Sequence, residues 1–153
     1  MQTFLPYNDF HLTARLLDNK RLAKQRVEVL QVLKALYNLK NNIKSGWQNH
    51  PITKMWCGFE NGLIHYGMVI CDEWIFRGYK DTCKQKIEDY VYKFDGTNII
   101  IYPEWINDNE LLESHKCRLL QKNYNHYSEK IKSIDGKLPE NWQNREYKWS
   151  KIG

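Results

Sequence analysis

DNKRLAKQRVEVLQVLKALYNL, residues 18–39, places Leu22, Val29, Leu33 and Leu36 at the recurrence of an α-helix rather than the alternation of a strand. Asp18 is the residue type that caps such a helix, so the spacing predicts a helix from Asp18 to about Leu39. Upstream, Asn8 or Asp9 is suited to cap a short helix to about Leu17. Downstream, Pro51 fits a first turn because its missing N–H is harmless there. Ile52, Trp56, Phe59, Leu63, Ile70 and Trp74 continue an apolar stripe to about Arg77, with Gly78 as a left-handed stop. Asp81 is expected to start a further helix through Tyr92. Asn107 with Glu110 resembles a capping box that opens one through about Asn123. Only residues 98–102, Asn-Ile-Ile-Ile-Tyr, read as strand-like, and the stretch from Leu138 is aromatic and irregular. The expected fold is all-α: one helical domain over residues 1–153 with an aromatic C-terminal tail, residues 138–153.

Composition narrows the function. At 153 residues and 42% hydrophobic content the chain is long enough to bury one core. A net charge of +5 suits a polyanionic partner. The four cysteines, Cys57, Cys71, Cys83 and Cys117, form no C-x-x-C pair, which argues against a thiolate metal site and for free thiols in a reducing compartment. The first ten residues carry no cationic leader, and no apolar run is long enough to cross a bilayer, so an intracellular location without a membrane partner is expected. Zincin, Walker, dinucleotide-binding and nucleophile-elbow motifs are all absent from the sequence.

Several charged residues break the bland pattern. A helical wheel puts Arg26 with Leu22, Val29 and Leu33, and puts Glu60 between Trp56, Leu63, Ile64 and Trp74. Two inward charges need partners or a wet cleft, so Arg26 and Glu60 are expected to approach each other or to share one cleft. Such a pair either fixes the register of two helices or serves an active site. Lys20, Arg21 and Lys24 form a basic edge beside it, which is either a solvated helix face or a phosphate grip. A second cluster, Lys116, Arg118 and Lys122 with His115, favours the grip, because two basic helices can hold two runs of backbone phosphate. Six tryptophans and ten tyrosines exceed the needs of one core, and Trp142, Tyr147 and Trp149 lie in the polar tail. Such rings either stack on exposed bases or pin the tail to the domain.

MQTFLPYNDF at 1–10, LLDNKRLAKQRVEVLQVL at 16–33, NHPITKMWCGFENGLIHYG at 49–67, EWIFRGYKDT at 73–82 and SHKCRLLQK at 114–122, with an echo in REYKW at 145–149, resemble in order and spacing the bacterial and viral branch of the pyrimidine dimer DNA glycosylase (phage endonuclease V-like) family. The resemblance implies a compact all-α domain and no metal or organic cofactor. It also implies a glycosylase coupled to abasic-site lyase action on double-stranded DNA containing a lesion or modified base. In that family an N-terminal α-amine attacks C1′ to form a Schiff base, and a glutamate stabilises the intermediate. An α-amine suits this role because its reference pKa of about 8 leaves a nucleophilic fraction near neutrality.

This chain departs from the phage pattern at Gln2, a bulky residue that should leave Met1 in place. Three readings follow: the Met1 amine is the nucleophile, a lysine such as Lys20 or Lys24 replaces it, or the branch performs different chemistry. The catalytic glutamate is either Glu28, which falls where the family's glutamate falls, or Glu60, the carboxylate that the wheel turns inward. Arg26 and His50 sit in the matching blocks as anchors for flanking phosphates. Arg21, His115, Lys116, Arg118, Lys122 and Trp149 complete the expected DNA contacts. A non-catalytic nucleic-acid-binding module, or an enzyme on free modified nucleotides in a closed Arg26–Glu60 pocket, are the competing readings.

Overall fold

The computed structural model describes residues 1–97 and 99–150, and among these the regular structure is helical throughout. Seven α-helices follow in order: α1 Phe10–Leu16, α2 Asn19–Lys40, α3 Pro51–Trp56, α4 Glu60–Phe76, α5 Lys84–Phe94, α6 Asn109–Lys122 and α7 Tyr124–Asp135. Short 3-10 turns cover Glu104–Asn107 and Trp142–Asn144. The all-α expectation holds. No helix among the described residues is long and apolar enough to cross a membrane.

α4 is the central element and packs against α1, α2 and α5. Its buried face combines Leu63, Tyr66, Ile70 and Cys71 with Gly62 and Gly67. Gly67 sets the approach of three helices: a Cβ there would lie 2.7 Å from Val29 Cγ1 on α2 and 3.1 Å from Ile87 Cδ1 on α5. Interiors packed at crystal density cannot absorb such an overlap without moving a helix. The core runs from Phe4 and Leu5 through Leu22, Val29 and Leu33 to Leu119 and Ile131.

The α1 and α2 expectations match the observed helices, with Asp9 Oδ1 accepting from the Leu12 N–H at 3.0 Å. The single helix expected from Pro51 to Arg77 is two. Gly58 takes φ +87°, a left-handed conformation that stops α3, and the chain restarts at Glu60. Asp81 caps α5 instead of entering it, its Oδ2 accepting from the Lys84 N–H at 2.7 Å. Asp108, one residue past the expected Asn107, caps α6 by accepting from Glu110 and Leu111 N–H. α7 was not expected from the sequence; Asn123 caps it and Gly136 ends it at φ +81°. In the strand-like stretch, Asn98 lies outside the described residues, and residues 99–102 form no strand. Ile99, Ile100, Ile101 and Tyr102 are all more than 40% exposed there, with no second strand among the described residues to pair with.

Candidate catalytic centre and nucleic-acid interface

Residues 3–5 lie inside the core. Thr3, Phe4 and Leu5 are at most 3% exposed, yet they belong to no helix, so their backbone polar groups need partners from elsewhere. Side chains from three helices and the tail supply them, and a fourth helix holds the Thr3 side chain. Gln25 on α2 spends its whole amide: Oε1 accepts from the Phe4 N–H at 3.0 Å and from the Tyr66 hydroxyl at 2.8 Å. Its Nε2 donates to the Gln2 carbonyl at 2.9 Å and to Glu28 Oε2 at 2.8 Å. The Tyr66 hydroxyl on α4 lies 2.8 Å from the Phe4 carbonyl as well and shares its one proton between that oxygen and Gln25 Oε1, and Trp56 on α3 donates to Thr3 Oγ1 at 3.1 Å. His115 Nδ1 accepts from the Leu5 N–H at 2.9 Å, and the Tyr147 hydroxyl donates to the Thr3 carbonyl at 3.0 Å.

This clamp holds the N-terminal segment where the positive charge of the Met1 α-amine acts on the Glu28 carboxylate. Glu28 is 6% exposed, one turn along α2 from Lys24, whose Nζ lies 3.9 Å from its Oε1. Burial raises the Glu28 pKa above the usual carboxylate range, while the Met1 ammonium, Lys24, the Gln2 backbone N–H and the Gln25 amide partly offset that rise. The same α-amine acts on His50, whose pKa is lowered first by desolvation and then by that positive charge. His50 caps α3, its Nδ1 accepting from the Ile52 N–H at 3.1 Å, so the neutral ring carries its proton on Nε2. Trp47 and Trp149 stand edge-on to the His50 ring, each with its centroid 5.4 Å away.

Beside this centre a cationic cluster joins α2 to α6. The Lys122 pKa is lowered first by desolvation, then by repulsion from Arg21, Arg118, Lys24 and Lys20. Five cations from two helices thus act on one another through their charges. Arg21 is tied to Asp18 at 3.1 Å, but Lys20, Arg118 and Lys122 have no ion pair among the described residues. The Arg118 Nε is buried with no hydrogen-bond partner there. Cations in excess of their internal carboxylates suit a polyanion, which would offset the repulsion that Asp18 and Glu28 leave.

The remaining sequence candidates are placed elsewhere. Arg26 does point inward, but its partner is Asp81, at 2.6 Å, with the guanidinium 4.6 Å from the centroid of the Trp74 ring. Glu60 accepts from the Gly58 N–H at 3.1 Å and lines a separate cleft with Leu36, Cys57, Phe59 and Phe94. The expected Arg26–Glu60 approach is therefore corrected, and with it the closed pocket for a free nucleotide. His115 is fully buried rather than presented to DNA. Both its nitrogens are engaged, Nε2 donating to the Lys148 carbonyl at 3.3 Å, and its ring stacks on Tyr147 at 4.1 Å. Burial pushes its pKa down to about 3. Lys116 is held by Asp135 at 2.9 Å and lies over the Tyr7 ring, away from the open cations. The tail is pinned to α6, Lys148 N–H donating to Ser114 Oγ at 2.9 Å. The pinning brings Trp149 against the His50 ring. Gln25, Tyr66 and Trp47 were missed in the sequence; the signal for Gln25 was a polar residue one turn before Glu28 on an otherwise apolar flank.

No curated protein and no solved structure matches the chain. The model of the pyrimidine dimer DNA glycosylase family matches residues 1–87, a stretch that holds Met1, Gln25, Glu28 and His50 and runs into α5. With more than half of its length so matched, the chain belongs to the pyrimidine dimer DNA glycosylase family.

Proposed function

We propose that the protein is a DNA-repair glycosylase with abasic-site lyase action, working on double-stranded DNA through the Met1 α-amine. The observation that carries this reading is the buried Glu28 carboxylate, hydrogen-bonded to the clamp on the N-terminal segment and acted on by the charge of that amine, beside a cationic cluster in which Lys20, Arg118 and Lys122 have no ion pair among the described residues. The cations hold the phosphates flanking a damaged nucleotide, pyrimidine dimers being the lesion class that the family name indicates. The extruded sugar presents C1′ to the amine. Nitrogen forms its bond to C1′ as the glycosidic bond breaks, and the base departs with the bonding pair and takes up a proton. The adduct nitrogen gives up one of its two protons, the C1′–O4′ bond breaks as the ring oxygen takes up a proton, and the nitrogen lone pair closes the C=N bond of the iminium, which keeps the other N–H. Removal of a C2′ proton then expels the 3′ phosphate, breaking the strand.

Glu28 suits both halves of this sequence. Its raised pKa lets its protonated form donate to the opening ring oxygen, and its anion then stabilises the iminium beside it. Lys24 is the weaker nucleophile, since its side chain is 73% exposed and its ammonium is solvated. Borohydride trapping on a duplex containing an abasic site tests the reading, with mass spectrometry locating the adduct. The expected product is a reduced adduct on the Met1 amine, lost in Glu28→Gln. An adduct on Lys20 or Lys24 would move the nucleophile, and no adduct at all would refute the imine reaction. The cationic cluster alone would support a second reading, a non-catalytic DNA-binding module. That reading expects salt-sensitive binding unchanged by Glu28→Gln.

A further inference from the structure

The loop between α2 and α3 holds a tryptophan in a conformation that tryptophan avoids. Trp47 has φ +71° and its residue surface is 50% exposed, so the protein bears backbone strain to display an indole in water. The strain is locked in. The Trp47 carbonyl accepts from the buried Thr53 hydroxyl at 2.8 Å and from the His50 N–H at 3.1 Å. Farther back, the Ile43 N–H donates to the Asn38 carbonyl at 2.8 Å, and the Gln48 amide donates to the Ile43 carbonyl. The loop thus presents its ring from a fixed base. The ring stands edge-on to His50 with 5.4 Å between centroids, on the side of the molecule where His50 meets Trp149 and the N-terminus.

We infer that Trp47 is a stacking wedge, its indole entering the duplex beside the lesion and covering the base step left open when the nucleotide is extruded. The chemistry is that of a flat apolar ring against a nucleobase, which is sequence-tolerant and gains most where a base has lost its neighbour. An unstacked step costs free energy, and a ring already held in position offsets that cost without further ordering. A packing role does not account for the arrangement, since half of the residue is in water and a residue without φ strain would pack there as well. His50 joins the wedge to Trp149 and, through its place in the field of the Met1 amine, to the side of the molecule where C1′ would be presented.

The inference rests on the imine reading for its catalytic consequence, but its stacking step is independent of chemistry, and the test separates the two. The first measurement uses a duplex with an uncleavable tetrahydrofuran abasic analogue and 2-aminopurine at the adjacent base. Binding of wild type is expected to change the probe's fluorescence, while Trp47→Ala binds with the same salt dependence and leaves the signal unchanged. No change with wild type, or the same change with Trp47→Ala, overturns the wedge. The second measurement compares single-turnover strand cleavage at an abasic site in duplex and in single-stranded DNA. Trp47→Ala should lose roughly tenfold or more on duplex and stay within about twofold on single strand, with Trp47→Phe restoring most of the duplex rate. Equal loss on both substrates also overturns it. Failure of the wild type to cleave either substrate sinks the imine reading, and the fluorescence result then decides the wedge alone. Trp47→Asn, whose side chain tolerates left-handed backbone, should match or exceed wild type in Tm; a clear fall would mark the indole as a packing residue.

Discussion

Replacing Gln25 by leucine keeps the volume in α2 and removes four hydrogen bonds of 2.8–3.0 Å at a position 1% exposed. The Tyr66 hydroxyl keeps a partner in the Phe4 carbonyl, so it is not orphaned. Three groups are: the Phe4 N–H, the Gln2 carbonyl and one oxygen of Glu28. At about 1–2 kcal/mol for each of the three groups, the Gln2 carbonyl being only half-buried, the loss is roughly 3–6 kcal/mol, a large part of the ~5–15 kcal/mol that holds a typical domain together. Urea titration should show a midpoint lower by roughly 1.5–3 M at a slope of ~2 kcal/mol per M. Borohydride adducts at Met1 should fall in parallel wherever the fold persists. Gln25→Glu refines the test, since it puts a second carboxyl at the 2.8 Å contact with Glu28. Two carboxyls there share one proton, so the folded pair titrates above the unfolded carboxyl range. Its stability is then present below that range and lost as pH rises through the folded pKa, giving a variant near wild type in acid and destabilised at pH 8. A Gln25→Leu protein within about 0.5 kcal/mol of wild type, with normal adduct yield, would refute the clamp.

Glu28→Gln should abolish adduct formation yet gain stability relative to wild type as pH rises from the unfolded carboxyl range toward neutrality. Burial has raised the pKa of Glu28, so its protonated form favours the fold and its ionisation weakens it; urea midpoints at pH 4.5 and 7.5 read the difference. His115 has the opposite sign. With a folded pKa of about 3, its contribution is intact above the unfolded histidine range and is lost as pH falls toward 3, at up to ~1.4 kcal/mol per pH unit. His115→Asn should flatten that acid limb. Lys122→Ala and Arg118→Ala should each lower the slope of log K against log salt by about 0.9 per phosphate contact removed, as read by fluorescence anisotropy. Arg26→Met should leave that slope alone while costing roughly 3 kcal/mol of stability, because it strands the buried Asp81. A fall in salt slope with that variant would mean that Arg26 touches DNA after all.

Periodicity made α2 and the inward turn of Arg26 legible, since both depend only on residues within one helix. The partner of Arg26 was not legible, because Asp81 sits in the connection before α5, where no wheel applies. The break at Gly58 was hidden by an apolar stripe that continues across it through Trp56, Phe59 and Leu63. α7 escaped notice because few of its residues are buried, Tyr127, Ser128 and Ile131, which leaves too narrow a stripe to detect. Residues 99–101 carry β-branched side chains that suit a strand, but sheet formation needs a second edge, and local composition cannot supply one. Glu28 entered only through its place in a family pattern. Its burial is caused by the N-terminal segment lying over it, a contact more than twenty residues away in sequence.

That contact explains why so much polarity is buried around residues 2–5. An apolar groove could bury Phe4 and Leu5 at less risk, since buried polar groups are costly whenever one partner is lost. Apolar packing, however, tolerates a slide along the groove. Here the carbonyls of Gln2, Thr3 and Phe4 and the N–H groups of Phe4 and Leu5 meet Gln25, Tyr147, Tyr66 and His115 in succession. A slip of one residue, about 3.5 Å, would break all of these at once. Chain termini ordinarily fray, and a frayed amine would be a poor nucleophile whatever its chemistry. The buried network fixes one register, and in that register the charge of the proposed nucleophile acts on Glu28. Variants that weaken the clamp without touching Met1 or Glu28, such as Tyr147→Phe at the Thr3 carbonyl, should therefore lower the rate of imine formation more than they lower affinity for DNA.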